Sequence, residues 1–222
     1  MPARQPSSPS PIRRFLLGSD PARRAIYLFG MMPAVSSFYL GVMDQLGADP
    51  QKTLERTLGL WALRFLIASL AITPLRRLGG PNLVRYRRAL GLLAFYYAAL
   101  HLTVYTLLDQ GLDLAAIWAD IVKRPYITIG MLAFAILTPL AVTSNAPMIR
   151  RLGGAAWQRL HSLVYAAAAA AAVHFIMVVK SWPAEPVIYA ALVAALLLFR
   201  LVARLLKRAR PPRSRAAAPA RA

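Results

Sequence analysis

Arg150-Arg151-Leu152-Gly153-Gly154, followed by His161 seven residues after the last glycine and then by His174, has an earlier copy in the same chain. That copy reads Arg76-Arg77-Leu78-Gly79-Gly80, with Arg87 seven residues on and His101 beyond it. An apolar segment carrying Thr-Pro-Leu precedes each copy, at Thr73-Pro74-Leu75 and Thr138-Pro139-Leu140. All three histidines of the chain fall inside these two copies. The pattern is a repeated apolar hairpin whose second arm carries histidine near its ends.

The surrounding composition says where such a hairpin sits. Of 222 residues 58% are hydrophobic, mean hydropathy is +0.50, and the formal charge is +19. Apolar spans separated by basic loops account for both numbers, whereas a soluble domain this apolar and this basic would be unusual. Nucleic acid is excluded as a partner because the arginines stand between apolar runs and form no basic helix face. With no cysteine, disulfides, thiolate-held iron–sulfur clusters and cysteine-bound zinc are excluded too.

Six spans are predicted, at residues 25–43, 58–75, 89–108, 126–144, 161–179 and 187–206, each near the roughly 20 residues a bilayer-crossing helix needs. The expected fold is an all-α, six-helix transmembrane bundle over 25–206, with haem between spans three and five. Residues 1–24 and 207–222 read as disordered basic cytoplasmic tails. Ala34-Val35-Ser36, the best signal-peptidase candidate, falls in mid-span, so span one reads as retained. The N-terminal tail, the loops 76–88 and 145–160 and the stretch from Arg200 onward hold 21 of the 27 Lys and Arg, and seven of the eight acids lie on the other side. The positive-inside rule then puts both termini in the cytoplasm. Spans three and five run in the same direction, so His101 and His174 share one depth and Arg87 and His161 another.

Histidine within a hydrocarbon span is costly without a partner, so it reads first as functional; a helix-to-helix hydrogen bond is the plainer reading. Two neutral imidazoles can fill both axial positions of one haem iron, which then has no open position for oxygen and moves electrons. His101 and His174 are the expected axial pair. Arg87 lies four helical turns before His101, about 21 Å along the axis. Gly91, Ala94 and Ala98 continue its face, either as a smooth channel for a macrocycle or as a close-packing stripe. His161 and His174 would point about 140° apart on an ideal helix, so a local wide turn or tilt is expected in span five. The alanine run Ala166–Ala172 leaves room for a ring, and equally suits tight packing.

Arg87 cannot readily ligate iron, because guanidinium stays protonated. It suits a haem propionate, a flavin phosphate or a lipid phosphate. His161 then holds a second haem by one bond or supports the site from outside, so His161 and Arg87 form a second haem or flavin site. Metal-ligand candidates are thus His101, His174 and His161. Arg64 either snorkels to the interface or meets a propionate, and Arg77 and Arg88 are further propionate or phosphate contacts. No catalytic residue is assigned. Tyr96, Tyr97, Tyr105, Tyr165, Trp61, Trp118, Trp157 and Trp182 read as an interfacial belt. No Asp or Glu falls within a predicted span.

Residues 45–200 resemble the MsrQ (YedZ) family, the haem-binding membrane subunits of a bacterial methionine-sulfoxide reductase system. The resemblance rests on Leu46-Gly47-Ala48-Asp49-Pro50, Ile72-Thr73-Pro74-Leu75, Arg87-Arg88-x-Leu90-Gly91-Leu92, Leu100-His101-Leu102-Thr103, Arg124-Pro125-Tyr126, Trp157-Gln158-x-Leu160-His161-x-x-Val164-Tyr165 and His174. It implies a ferric-reductase-like transmembrane fold, haem b and flavin mononucleotide (FMN). It further implies electron transfer through the bacterial inner membrane to MsrP, a periplasmic molybdopterin enzyme that repairs oxidised methionine. Related ferric reductases carry four such histidines, and this chain has Arg87 at one of those places.

No Gly-x-Gly-x-x-Gly fingerprint is present and the tails are too short for a nucleotide domain, so electrons are expected from a separate cytoplasmic flavin reductase or from quinone. The basic loops are candidates for donor docking or for lipid headgroups. Two rival functions stand beside this one. A self-sufficient ferric or quinone reductase would reoxidise without MsrP, and a small transporter would need inverted repeats and a midplane acid.

Overall fold

The computed structural model describes residues 20–179 and 183–209. Of the tails expected at 1–24 and 207–222, residues 1–19 and 210–222 lie outside the described residues, as does Trp182, while residues 21–24 and 207–209 extend the first and last helices. Among the described residues the chain is helical without strands: α1 Pro21–Val42, α2 Pro50–Arg77, α3 Arg87–Val104, α4 Leu114–Lys123, α5 Pro125–Val142, α6 Ala146–Leu152, α7 Gly154–His161, α8 Val164–Val178 and α9 Ala184–Ala209. A 3₁₀ turn, Val84–Tyr86, leads into α3, and a π-turn, Tyr105–Asp109, ends it. Six segments are long and apolar enough to cross a membrane: Pro21–Val42, Pro50–Arg77, Val84–Asp109, Pro125–Val142, Gly154–Val178 and Ala184–Lys207. These are the six spans, and the all-α bundle is as expected.

Their starts are set by capping. Asp49 accepts from the Lys52 N–H at 3.3 Å, and Pro50 stands at the first helical position, where its missing N–H costs nothing. The Asp49 cap therefore opens α2, and span two begins at Pro50 instead of Leu58. This brings Glu55 into the span, which corrects the expectation that no acid lies within one. Asp20, Asp113 and Asn145 cap α1, α4 and α6 in the same way.

The closest antiparallel pairs are α2 with α3 and α5 with α8, the two copies of the hairpin. Between them lies one apolar core of Leu63, Leu66 and Leu70 from α2, Ala94 from α3, Leu137 from α5, Ala167, Ala168 and Ala172 from α8, and Val193 from α9. Ala94 is fully buried there, so at that position the small-residue stripe packs helices together. The alanine run does the same at Ala167, Ala168 and Ala172.

Prolines inside spans leave carbonyls without their helical donor, and neighbouring helices must supply one. Pro74 has no N–H for the Leu70 carbonyl, which instead accepts from Arg200 Nη2 of α9 at 2.7 Å. Near Pro33, the hydroxyl of the fully buried Tyr97 accepts from the Ala34 N–H at 2.9 Å. The same hydroxyl donates to the Gly30 carbonyl at 2.7 Å. Gly30 and Ala34 are the two groups an unbroken helix would pair directly, so a phenol from α3 is stitched into α1. Gly30 is needed for this approach, since a Cβ there would lie 2.5 Å from Leu93 Cδ1.

The belt expectation is corrected in part. Tyr97, Tyr105 and Tyr165 hold helices together through their hydroxyls, and Trp61 packs against Phe65 and Tyr97. Trp118 is 68% exposed on α4.

Candidate functional site

His101 on α3 and His174 on α8 meet in the interior. Their ring centroids lie 6.2 Å apart with planes at 76°. Each ring is tied to the first helix of its own hairpin. His101 Nδ1 lies 2.9 Å from the Glu55 carbonyl oxygen on α2, and His174 Nδ1 lies 2.7 Å from that of Tyr126 on α5. A carbonyl can only accept, so Nδ1 carries the proton in both rings and the lone pair sits on Nε2. Anchoring one ring nitrogen to a backbone oxygen while freeing the other is how a ligating histidine is oriented and made more basic.

Glycine makes the approach possible. Gly59 stands four residues after Glu55, and Gly130 four residues after Tyr126. A Cβ at Gly59 would lie 3.1 Å from His101 Nδ1, and one at Gly130 would lie 2.8 Å from His174 Nδ1. The two hairpins thus build the same device: a carbonyl, a glycine one turn later, and an imidazole from the next long helix lying over both.

Among the described residues no three His, Cys, Asp or Glu side chains gather as a bare ion would need. Two imidazoles alone suit a metal whose other ligands come from a macrocycle. With metal–nitrogen bonds of about 2 Å on either side of one ion, two axial imidazole centres stand roughly 6 Å apart. The observed separation meets that requirement, so the residues present fit a haem.

Other polar groups frame this pair. Glu55, which the sequence reading left in a loop, brings Oε1 to 4.0 Å from His101 Nε2. Arg64 is held elsewhere: its Nε donates to Tyr189 Oη at 2.7 Å, its Nη2 lies 4.0 Å from Glu185, and its guanidinium stacks on Trp61. Arg64 therefore braces α2 to α9. Of the two readings of Arg64, interface snorkelling and propionate contact, neither describes this bracing.

His161 closes α7, and the chain tightens into i→i−3 bonds at Ser162 and Leu163 before α8 begins. The expected break in span five is there, tight instead of wide; the wide turn is the one ending α3. His161 Nε2 lies 3.0 Å from Thr143 Oγ1, whose own proton goes to the Pro139 carbonyl at 2.6 Å. Nε2 is therefore the protonated nitrogen, the reverse of His101 and His174. Trp157 stacks on the ring at 3.9 Å and donates its Nε1–H to the Thr143 carbonyl at 3.0 Å. Arg87 lies within electrostatic range of both His161 and Tyr165. Arg88 lies by Tyr27 of α1, and Arg77 is exposed at the end of α2, where it complements the helix dipole.

Sequence reasoning missed Gly59, Gly130, Thr143, Arg200 and the two carbonyls. The one signal available was glycine at matching places in the first helix of both hairpins.

Comparison with known proteins agrees with this architecture. Residues 58–173 match the family model described as ferric reductase like transmembrane component. The chain is 63% identical over 186 residues to proteins of Brucella ovis, Brucella canis and Brucella suis, covering 84% of this chain and 84% of each relative. Each is named protein-methionine-sulfoxide reductase heme-binding subunit MsrQ. On that identity and coverage, the chain belongs to the MsrQ family of ferric-reductase-like transmembrane proteins.

Proposed function

We propose that this protein is the haem-carrying membrane subunit of a methionine-sulfoxide reductase system, with His101 Nε2 and His174 Nε2 as the axial ligands of one haem b. The observation that carries this reading is the facing pair of imidazoles at 6.2 Å, each tied through Nδ1 to a backbone carbonyl. When bound, the haem supplies a one-electron iron couple. The chain's part is to hold both axial positions so that oxygen finds none open, to fix the tautomers through Glu55 and Tyr126, and to keep water out with the buried alanines of α8.

In this proposal electrons enter at the end bearing Arg87 and His161, from a cytoplasmic flavin reductase or from quinone. They leave at the opposite, acid-bearing end to periplasmic MsrP. The chain sits in the bacterial inner membrane with both termini in the cytoplasm, supported by the charge asymmetry of its loops. Arg87 and His161 form the second site, where guanidinium donors meet a propionate of a second haem or the phosphate of FMN. Iron and flavin content per chain distinguishes those occupants.

The test is the absorbance of the purified full-length chain. Wild type is expected to show a low-spin b-type spectrum that His101→Ala and His174→Ala each largely abolish; full haem in both variants overturns the assignment. Reduced protein should be reoxidised by MsrP with methionine sulfoxide. Equal reoxidation by Fe(III) alone would favour a self-sufficient reductase.

A further inference from the structure

Tyr165, at the start of α8, is ringed by arginine. Arg200 Nη1 donates to its hydroxyl at 2.8 Å, and Arg87 lies within electrostatic range of it. The guanidinium centres of Arg200 and Arg204 stand 5.0 and 5.2 Å from its ring centroid. Tyr165, Arg200 and Arg204 edge a cleft of about 410 Å³ between α8 and α9, whose remaining wall is Leu197, Leu198 and Leu201.

Among the described residues no carboxylate neutralises this charge. Of the eight acids, seven belong to the opposite end of the bundle; the eighth, Asp20, lies 3.6 Å from Arg85. No Asp or Glu follows Glu185 in the sequence. Among the described residues, no carboxylate pairs with Arg200 or Arg204. Arg200 uses both terminal nitrogens on protein oxygens, while its Nε is buried without a hydrogen-bond partner. Unpaired guanidinium groups at the edge of an apolar span need an anion from outside the chain.

We propose that this cleft binds an anionic phospholipid, its phosphate held by Arg204 and the Arg200–Tyr165 pair and one acyl chain laid along Leu197, Leu198 and Leu201. The phosphate supplies the missing negative charge by charge-assisted hydrogen bonds. The leucine wall selects a lipid over a soluble phosphate: Leu198 is 60% and Leu201 54% exposed on the face of a membrane-spanning helix. Basic pockets between helices near one bilayer surface suit such headgroups. Neither His101 nor His174 lines the cleft, so its test and that of the axial haem assignment fail independently.

The experiment uses the full-length protein, delipidated in an uncharged detergent and titrated with phosphatidylglycerol, phosphatidylcholine or inorganic phosphate while thermal unfolding is followed. Phosphatidylglycerol should raise Tm, and the other two should not. Arg204→Gln, at an exposed position, should need about tenfold more phosphatidylglycerol for the same shift, the loss of one charged hydrogen bond. Arg204→Lys should retain most of the response. An equal shift with phosphatidylcholine overturns the proposal, as does an unchanged titration of Arg204→Gln. An equal shift with inorganic phosphate also overturns it, assigning the cleft to a soluble phosphate compound.

Discussion

Gly130 lies directly beneath the imidazole of His174, so close that a methyl group there would stand 2.8 Å from Nδ1 and 2.9 Å from Cε1. At Gly59 the corresponding clearances to His101 are 3.1 and 3.2 Å. The first pair is below any distance a real Cβ adopts, so the ring or the helix must move; the second needs a few tenths of an ångström. Gly130→Ala is therefore expected to lose more haem per chain than Gly59→Ala, read from absorbance at equal protein concentration. Full and equal occupancy in both would show that neither ring depends on the glycine beneath it.

Arg200 and Pro74 form a compensating pair. Arg200→Met strips the Leu70 carbonyl of its donor, and an unsatisfied buried oxygen costs about 1–3 kcal/mol. Pro74→Ala restores a backbone N–H one turn away, so part of that cost should disappear in the double variant. The double-mutant cycle is measured by thermal unfolding. Strict additivity of the two changes would refute the compensation.

Tyr97→Phe removes a donor and an acceptor from the interior of α1 at once. With the Gly30 carbonyl and the Ala34 N–H both losing their partner, destabilisation of about 1–3 kcal/mol is expected if the helix does not close on itself. The effect should concentrate in α1, whose amides should exchange hydrogen faster than those of α5.

Thr143→Val takes away the acceptor that holds His161 in its Nε2–H tautomer. Haem occupancy at the proposed His101–His174 site should be unchanged, while stability falls by about 1 kcal/mol. A loss of the main haem spectrum in this variant would mean that His161, and not one of the other two, completes the pair.

Much of the architecture is readable along the chain because hydropathy, capping and loop charge are local properties. The apolar runs mark the six spans whatever surrounds them, and the duplicated Arg-Arg-Leu-Gly-Gly places His101 and His174 at matching depth on co-directional spans, whereas the Asp49-Pro50 cap lengthens α2 beyond its predicted span. What the linear pattern leaves open is rotation and approach. Whether the Glu55 carbonyl meets His101, whether Arg200 reaches across to Leu70, and which ring nitrogen of His161 keeps its proton each depend on how two helices face one another. A hydrogen bond needs donor and acceptor within about 3 Å and in line. Only packing of the whole bundle sets a distance that fine between residues dozens of positions apart.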